Sequence, residues 1–261
     1  MVRLFIQAKI WMMYLMMSSM IRPDWPAPQK VKAIQTTRRG DLSQNPPYAD
    51  FNLSDQVGGD NHFVAQNLQR LQEYLPAQVS WLDQVHGVEI LDLPSEKVRN
   101  ADGAFTTKEK VVCAIRTADC LPILFTDDKG SFVAAIHAGW RSLGLGIVEK
   151  AIKKMTNGNK IMAWLGPCIS QNKFEVGRDV FNCFVANDPS TEGFFKLHHN
   201  KFLLDLPGVA HLKLKKLGVD WVYGNGITQE YCTYQQADTF FSYRREKNTG
   251  RMATLAWIDS N

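Results

Sequence analysis

The sequence predicts a mixed α/β (α+β) fold in a single domain, with mixed β-sheets flanked by helices. Three observations carry that expectation. Short strand-like runs and helical runs intermix without the strict β–α–β alternation of a doubly wound parallel sheet. One stretch, Thr117 to Ile136, reads as a β-hairpin, which requires antiparallel pairing. The chain has 261 residues, 45% of them hydrophobic and 21% charged, with no repeat or linker, which fits one domain with a substantial core.

The elements follow in order. After a Pro-rich entry at Pro23, Pro26 and Pro28, Val31 to Thr36 reads as a strand, followed by a polar loop, TTRRGDLSQNPPYADFNLSD. His62 to Tyr74 has helical periodicity, with Phe63, Leu68, Leu71 and Tyr74 mainly on one face. Val79–Leu82 and Val88–Leu91 read as short strands around QVHG, and ADGAFTT turns into a strand at Val111–Ile115. In the hairpin, Leu121, Ile123 and Phe125 precede the turn residues Asp127-Asp128-Lys129-Gly130, and Phe132, Val133 and Ile136 follow it. Leu143–Met155 reads as one helix, Ile161–Leu165 as a strand and Asp179–Ala186 as a helix. Phe202–Leu204 follows as a strand, then Pro207–Leu217 as a helix whose exposed side carries Lys213, Lys215 and Lys216. Trp221–Tyr223 and Thr254–Trp257 complete the strands.

A net charge of +4 is modest and gives no concentrated basic stripe, so nucleic acid is not an expected partner. Five cysteines without regular spacing argue against a disulfide framework and for a reducing compartment. Residues 1–20 hold six of the nine methionines, and the apolar run Ile10–Met17 is too short for a membrane helix, which needs about 20 residues. Ser18-Ser19-Met20 is a poor signal-peptide cleavage site. The expectation is a non-core extension over residues 1–20, with Met20 the true start, a domain over 21–261 and a cytoplasmic location without membrane contact.

Chemistry concentrates at His86 in WLDQVHG, Cys120 in RTADCLPILF and His137 in AAIHAGWRS. Two imidazoles and a thiol suit soft-to-borderline metals, above all zinc. Centring the hairpin turn between Asp128 and Lys129 puts Cys120 directly opposite His137. Such opposed residues have Cβ atoms about 5 Å apart, a separation suited to two ligands of one ion. His86 has to arrive from an earlier element. Three protein ligands leave the fourth tetrahedral position to water, the arrangement of catalytic zinc, and zinc lowers the pKa of that water toward about 7.

The segments TTRRG, FNLSD, QVHG, ADG, TADCLPILF, AAIHAGWRS, LGP, FEVG and SYRREKNTGRMATL occur in that order. Together they resemble the YfiH/YlmD-type proteins of the laccase-domain, or multicopper polyphenol oxidase, family from about residue 21 onward. The resemblance implies a zinc-dependent enzyme acting on purine nucleosides and phosphate. Its reactions would be phosphorolysis of adenosine, inosine and S-methyl-5'-thioadenosine and deamination of adenosine. It also implies metal ligation by His86, Cys120 and His137. The chain departs from the family pattern at GDLS, DQVGGD, Ser142 of HAGWRS and the segment after GPCI, and none of these removes a ligand.

Asp119, beside Cys120, is the expected group to orient a histidine or relay a proton, and Glu175 is a lesser proton-carrier candidate. Arg245 and Arg251 lead the arginines suited to bidentate phosphate contact, with Arg38 another candidate and Asn52 a hydrogen-bonding partner for ribose or base. His198-His199 reads as surface. Rival readings are a metal-free cysteine hydrolase using Cys120 and His137, a copper-dependent polyphenol oxidase and a zinc-stabilised binding module. Six histidines without a His-x-His pair cannot build a four-copper centre, although Cu(II) outcompetes zinc at such donors.

Overall fold

The computed structural model describes residues 20–40, 46–95, 100–155 and 158–260. The expected N-terminal extension, apart from Met20, lies outside the described residues, as does most of GDLS.

Among the described residues, twelve strands form three sheets. In chain order they are β1 (Val31–Gln35), β2 (Ile90–Asp92), β3 (Gly103–Thr106), β4 (Cys113–Thr117), β5 (Leu121–Asp127) and β6 (Val133–Ala138). They continue with β7 (Ile161–Leu165), β8 (Glu175–Val176), β9 (Phe195–His198), β10 (Lys201–Leu204), β11 (Trp221–Gly224) and β12 (Met252–Ile258). The largest sheet runs β11-β7-β5-β6-β3-β2, and the others run β1-β12-β4 and β8-β10-β9. The large sheet is antiparallel at its centre and parallel at both edges, where β11 pairs with β7 and β2 with β3. The mixed-sheet expectation holds.

Layering follows from side-chain alternation. Ile123 and Phe125 of β5 face helices, packing with Leu143, Val148, Ile152, Val209 and Leu214. Leu124 points the other way, into a cluster with Ile115 of β4, Ala135 of β6 and Ala256 of β12. Beyond the three-stranded sheet, Ala114 and Leu255 pack with Leu71 of the helix Asn61–Gln72. The central strands β5 and β6, buried along their whole length, therefore read as continuous apolar runs.

Five expectations change. ADGAFTT is not a turn, since its Gly103–Thr106 is β3, paired with β2 and β6. The single helix over 143–155 is two, Trp140–Gly144 and Ile147–Met155, because Gly146 takes φ +92° and breaks the helical path. Lys213 is not on the exposed face of the helix Leu206–Lys216; it is 8% exposed and its ammonium pairs with Glu149. Val79–Leu82 forms no strand, and Asp83 makes only an isolated bridge to Asn100.

The fifth is the hairpin register. Thr126 pairs with Val133 and Pro122 with His137, so residues 127–132 form a wider loop than a turn centred at Asp128-Lys129. The Asp127 carboxylate causes this by accepting the Lys129 and Ser131 backbone N–H groups at 3.2 and 2.8 Å. Continuing the register puts Cys120 opposite Gly139 and diagonal to His137, not directly facing it.

Candidate metal centre and its pocket

His86, Cys120 and His137 reach one point from three segments, and their donor atoms all lie within 4.8 Å of one another. Cys120 Sγ is 3.9 Å from His86 Nε2, and the two imidazole rings meet edge-on with centroids 4.7 Å apart. His137 rides on the rigid β6, whereas Cys120 lies just before β5 and His86 just before β2.

Asp102, fully buried ahead of β3, ties two of these segments together. Its Oδ1 accepts from the His86 backbone N–H at 3.0 Å and lies 2.8 Å from His137 Nδ1. Its Oδ2 accepts from the backbone N–H groups of Val85 at 3.2 Å and Gly87 at 2.6 Å. Its carbonyl takes the His137 N–H at 2.7 Å. His86 sits at φ +59°, a left-handed conformation unusual for a side-chain-bearing residue, and this carboxylate spans the loop around it. With Nδ1 on Asp102, Nε2 of His137 is left to face the other donors. Burial disfavours the Asp102 carboxylate, but the contacts from His137, Gly87 and Val85 win and lower its pKa.

Burial likewise opposes a Cys120 thiolate, yet the His137 and His86 imidazoles overcome it and bring the thiol to about 6. Against burial, the Cys120 sulfur and Asp102 raise His137 to about 9. Without metal, the attraction between the Cys120 sulfur and the His137 ring thus outweighs burial and favours the charged form of each.

The space between the donors is kept open by an absent side chain. A Cβ at Gly139 would lie 2.9 Å from Cys120 Sγ, 3.2 Å from His86 Cδ2 and 3.5 Å from His137 Nε2. That void among two nitrogens and one sulfur fits a small borderline cation by both room and donor chemistry.

The cluster lies in a cavity of about 530 Å³, whose wall also includes Trp140, Tyr243, Arg116, Arg141, Arg244 and Arg251. Among the expected binding residues, Arg251 is on this wall, while Arg38, Asn52 and Arg245 are not. Arg251 Nη1 donates to the Thr249 and Gly250 carbonyls at 2.9 and 3.1 Å, and among the described residues no carboxylate pairs with it. Arg38 pairs with Glu246 and bonds the Ala49 and Ala237 carbonyls. Arg245 is taken up by Glu246 and the carbonyls of Thr233, Tyr234 and Phe240. Fully buried Asn52 accepts the Arg251 backbone N–H at 2.9 Å and so sets that residue from behind.

Asp119, at φ +94°, lines the cavity but bonds neither histidine. Its carboxylate takes the Thr233 hydroxyl at 2.5 Å and the Arg244 backbone N–H at 2.6 Å, fastening the short helix Tyr243–Glu246 to the cavity wall. Glu175 lies on β8, paired with Lys201 and exposed His198. Sequence reasoning missed Asp102 and Arg116 as site residues. The available signal was an Asp-Gly ahead of a buried strand for the first, and adjacency to TADC for the second.

A mixed α/β domain with a His/Cys/His cluster in an arginine-lined cavity is the class that fold and site define. Residues 32–259 match the family described as multi-copper polyphenol oxidoreductase laccase, and the chain belongs to that family. It is 41% identical over 247 residues to the purine nucleoside phosphorylase YfiH of Escherichia coli, covering 93% of this chain and 100% of that one. A purine nucleoside phosphorylase of Pseudomonas aeruginosa is 41% identical over 245 residues, covering 93% and 99%. Among solved structures, a Neisseria meningitidis protein superposes with TM-score 0.85 at 42% identity, over 93% of this chain and 100% of that one. YlmD from Geobacillus stearothermophilus gives 0.80 at 27%, over 90% and 94%. No described helix is long and apolar enough to cross a membrane.

Proposed function

We propose that this chain is a purine nucleoside phosphorylase that works with one zinc ion held by His86, Cys120 and His137. It cleaves adenosine, inosine and S-methyl-5'-thioadenosine to free base and the ribose 1-phosphate product, and it also deaminates adenosine. The observation that carries the reading is the convergence of three donor atoms within 4.8 Å inside a cavity whose wall includes Arg251, paired with no carboxylate among the described residues. Bound there, zinc supplies Lewis-acid polarisation of an oxygen and a nucleophile at neutral pH.

The chain's own residues do the rest. Exposed Tyr243 and partly buried Trp140 offer aromatic rings to a purine. Arg251, largely desolvated and without a carboxylate partner among the described residues, suits the phosphate dianion, and Arg116, held by the Leu53 carbonyl and Asp55, adds positive charge to the same wall. In phosphorolysis the glycosidic C–N bond breaks, a phosphate oxygen bonds to the anomeric carbon, and the departing purine nitrogen takes a proton. Cytoplasmic location and a 21–261 catalytic domain belong to the same proposal.

A second reading, the cysteine hydrolase, draws on the order Cys120–His137–Asp102, which has the form of a nucleophile, base and orienting acid. A nucleophile needs one imidazole, whereas here two converge on the sulfur, and that favours a metal. Copper bound at these donors would supply at most weak oxidase chemistry, since a four-copper centre has no ligands among six histidines without a His-x-His pair. The deciding experiment assays adenosine with and without phosphate, on wild type and His86→Ala, with zinc content measured on both. Loss of both activities and of zinc with retained fold supports the proposal; unchanged turnover in the variant refutes it.

A further inference from the structure

We infer that Asp102 is a positioning residue that sets two of the three metal ligands at once and holds the site in its binding geometry before any metal arrives. The inference rests on the metal-site reading above. Its warrant is the distribution of one carboxylate's lone pairs. Oδ1 is shared between the His137 ring and the His86 main chain, so a single atom fixes the ring plane of one ligand and the backbone origin of the other. Oδ2 closes the loop on either side of His86 through the Val85 and Gly87 N–H groups.

Three successive N–H groups converging on one carboxylate form an anion-holding nest, and the nest's geometry imposes the left-handed turn at His86. The Asp102 carbonyl adds a bond to the main chain of His137, so that strand and loop cannot slide past one another. A carboxylate behind one ligating histidine is a familiar means of tuning a metal. Here it also carries a second ligand on a segment that has no strand or helix of its own around residue 86. Removing the charge leaves three amide N–H groups and a ring N–H converging on a weaker acceptor, and both ligands lose their common reference.

The test compares wild type with Asp102→Asn, which keeps shape and one acceptor oxygen but turns the other acceptor into a donor. Metal-free protein is titrated with zinc against a chromophoric chelator, and separately with cobalt(II), whose visible and thiolate charge-transfer bands report ligand geometry. The expected result is a zinc dissociation constant raised about 10- to 100-fold, with the cobalt bands displaced and the metal-free fold retained. Amide hydrogen exchange on metal-free wild type supplies a readout independent of the variant. Val85, His86 and Gly87 exchange slowly if the nest exists without metal.

Wild-type zinc affinity and cobalt bands in Asp102→Asn overturn the inference while leaving the metal site standing. So does exchange at residues 85–87 as fast as in an open loop, and this measurement decides if the variant does not fold. A wild-type chain that takes up no zinc or cobalt overturns the metal reading and this inference together.

Discussion

Gly139→Ala places one methyl group against the three proposed ligands. The backbone there, φ −61° and ψ 160°, is open to any residue, so the substitution carries no conformational penalty of its own. What it meets is the cluster: the new Cβ lies 2.9 Å from Cys120 Sγ and 3.2 Å from His86 Cδ2. Non-bonded heavy atoms prefer about 3.5–4.0 Å, so the sulfur has to retreat by roughly 0.6–1 Å. With an ion bound, Cys120 would be held to it and could not move aside, and overpacking of this kind costs about 1–3 kcal/mol. Charged wholly to the metal-bound state, that is a loss of about 5- to 150-fold in metal affinity. The assay is chelator competition with zinc, alongside thermal melting of the metal-free protein, whose Tm stays close to wild type because the metal-free cluster can relax into the cavity. Wild-type zinc affinity in Gly139→Ala would refute the argument that the missing side chain is the cradle.

Arg251→Gln removes a guanidinium whose charge-assisted hydrogen bonds to phosphate are worth about 1.5–3 kcal/mol, so the phosphate KM rises about 10- to 150-fold while zinc content is unchanged; an unaltered KM removes Arg251 from the phosphate site. In metal-stripped protein, iodoacetamide labels Cys120 ahead of buried Cys113, whose thiol burial pushes up, and the rate rises with a midpoint near pH 6. The sign follows from a folded-state thiol lowered from 9.0 to about 6, so thiolate is present above that pH, and His137→Ala moves the midpoint upward; a midpoint near 9 in wild type contradicts the ion-pair geometry. Ile123→Ala, at a fully buried position between the large sheet and its helices, destabilises by about 2–5 kcal/mol in urea unfolding without altering zinc stoichiometry.

The strands that bury both faces or alternate strongly were legible in the sequence, because periodicity and composition act locally: β5, β6, β7 and β12 all lie where apolar runs put them. The donor trio was legible because Cys and His carry their chemistry in their side chains. The hairpin register was not, since it hinged on Asp127 turning its carboxylate onto Lys129 and Ser131, a local hydrogen-bond choice that the turn composition leaves open. Asp102 was harder still. Its role comes from three amides and an imidazole that approach from a different loop and a different strand, and nothing in the string ADG specifies them. Arg38, Asn52 and Arg245 illustrate the converse: their residue types suit ligands, yet the fold spends their hydrogen bonds on backbone carbonyls, Glu246 and the Arg251 main chain.

The order of strands in the smaller sheet has a consequence for synthesis. Its middle strand is β12, which pairs Ile258 with Val31 of β1 on one side and Met252 with Thr117 of β4 on the other. The ribosome releases β1 and β4 long before β12 exists, so both wait with unpaired edges, and closing so long a loop slows the final pairing. The hairpin carrying Cys120 and His137 can form early, whereas Arg251, immediately before β12, takes its place only when that strand inserts. A nascent chain can therefore assemble its metal-ligand hairpin while the arginine wall is still missing, and shielding of β1 and β4 during that interval decides how much chain reaches the finished fold.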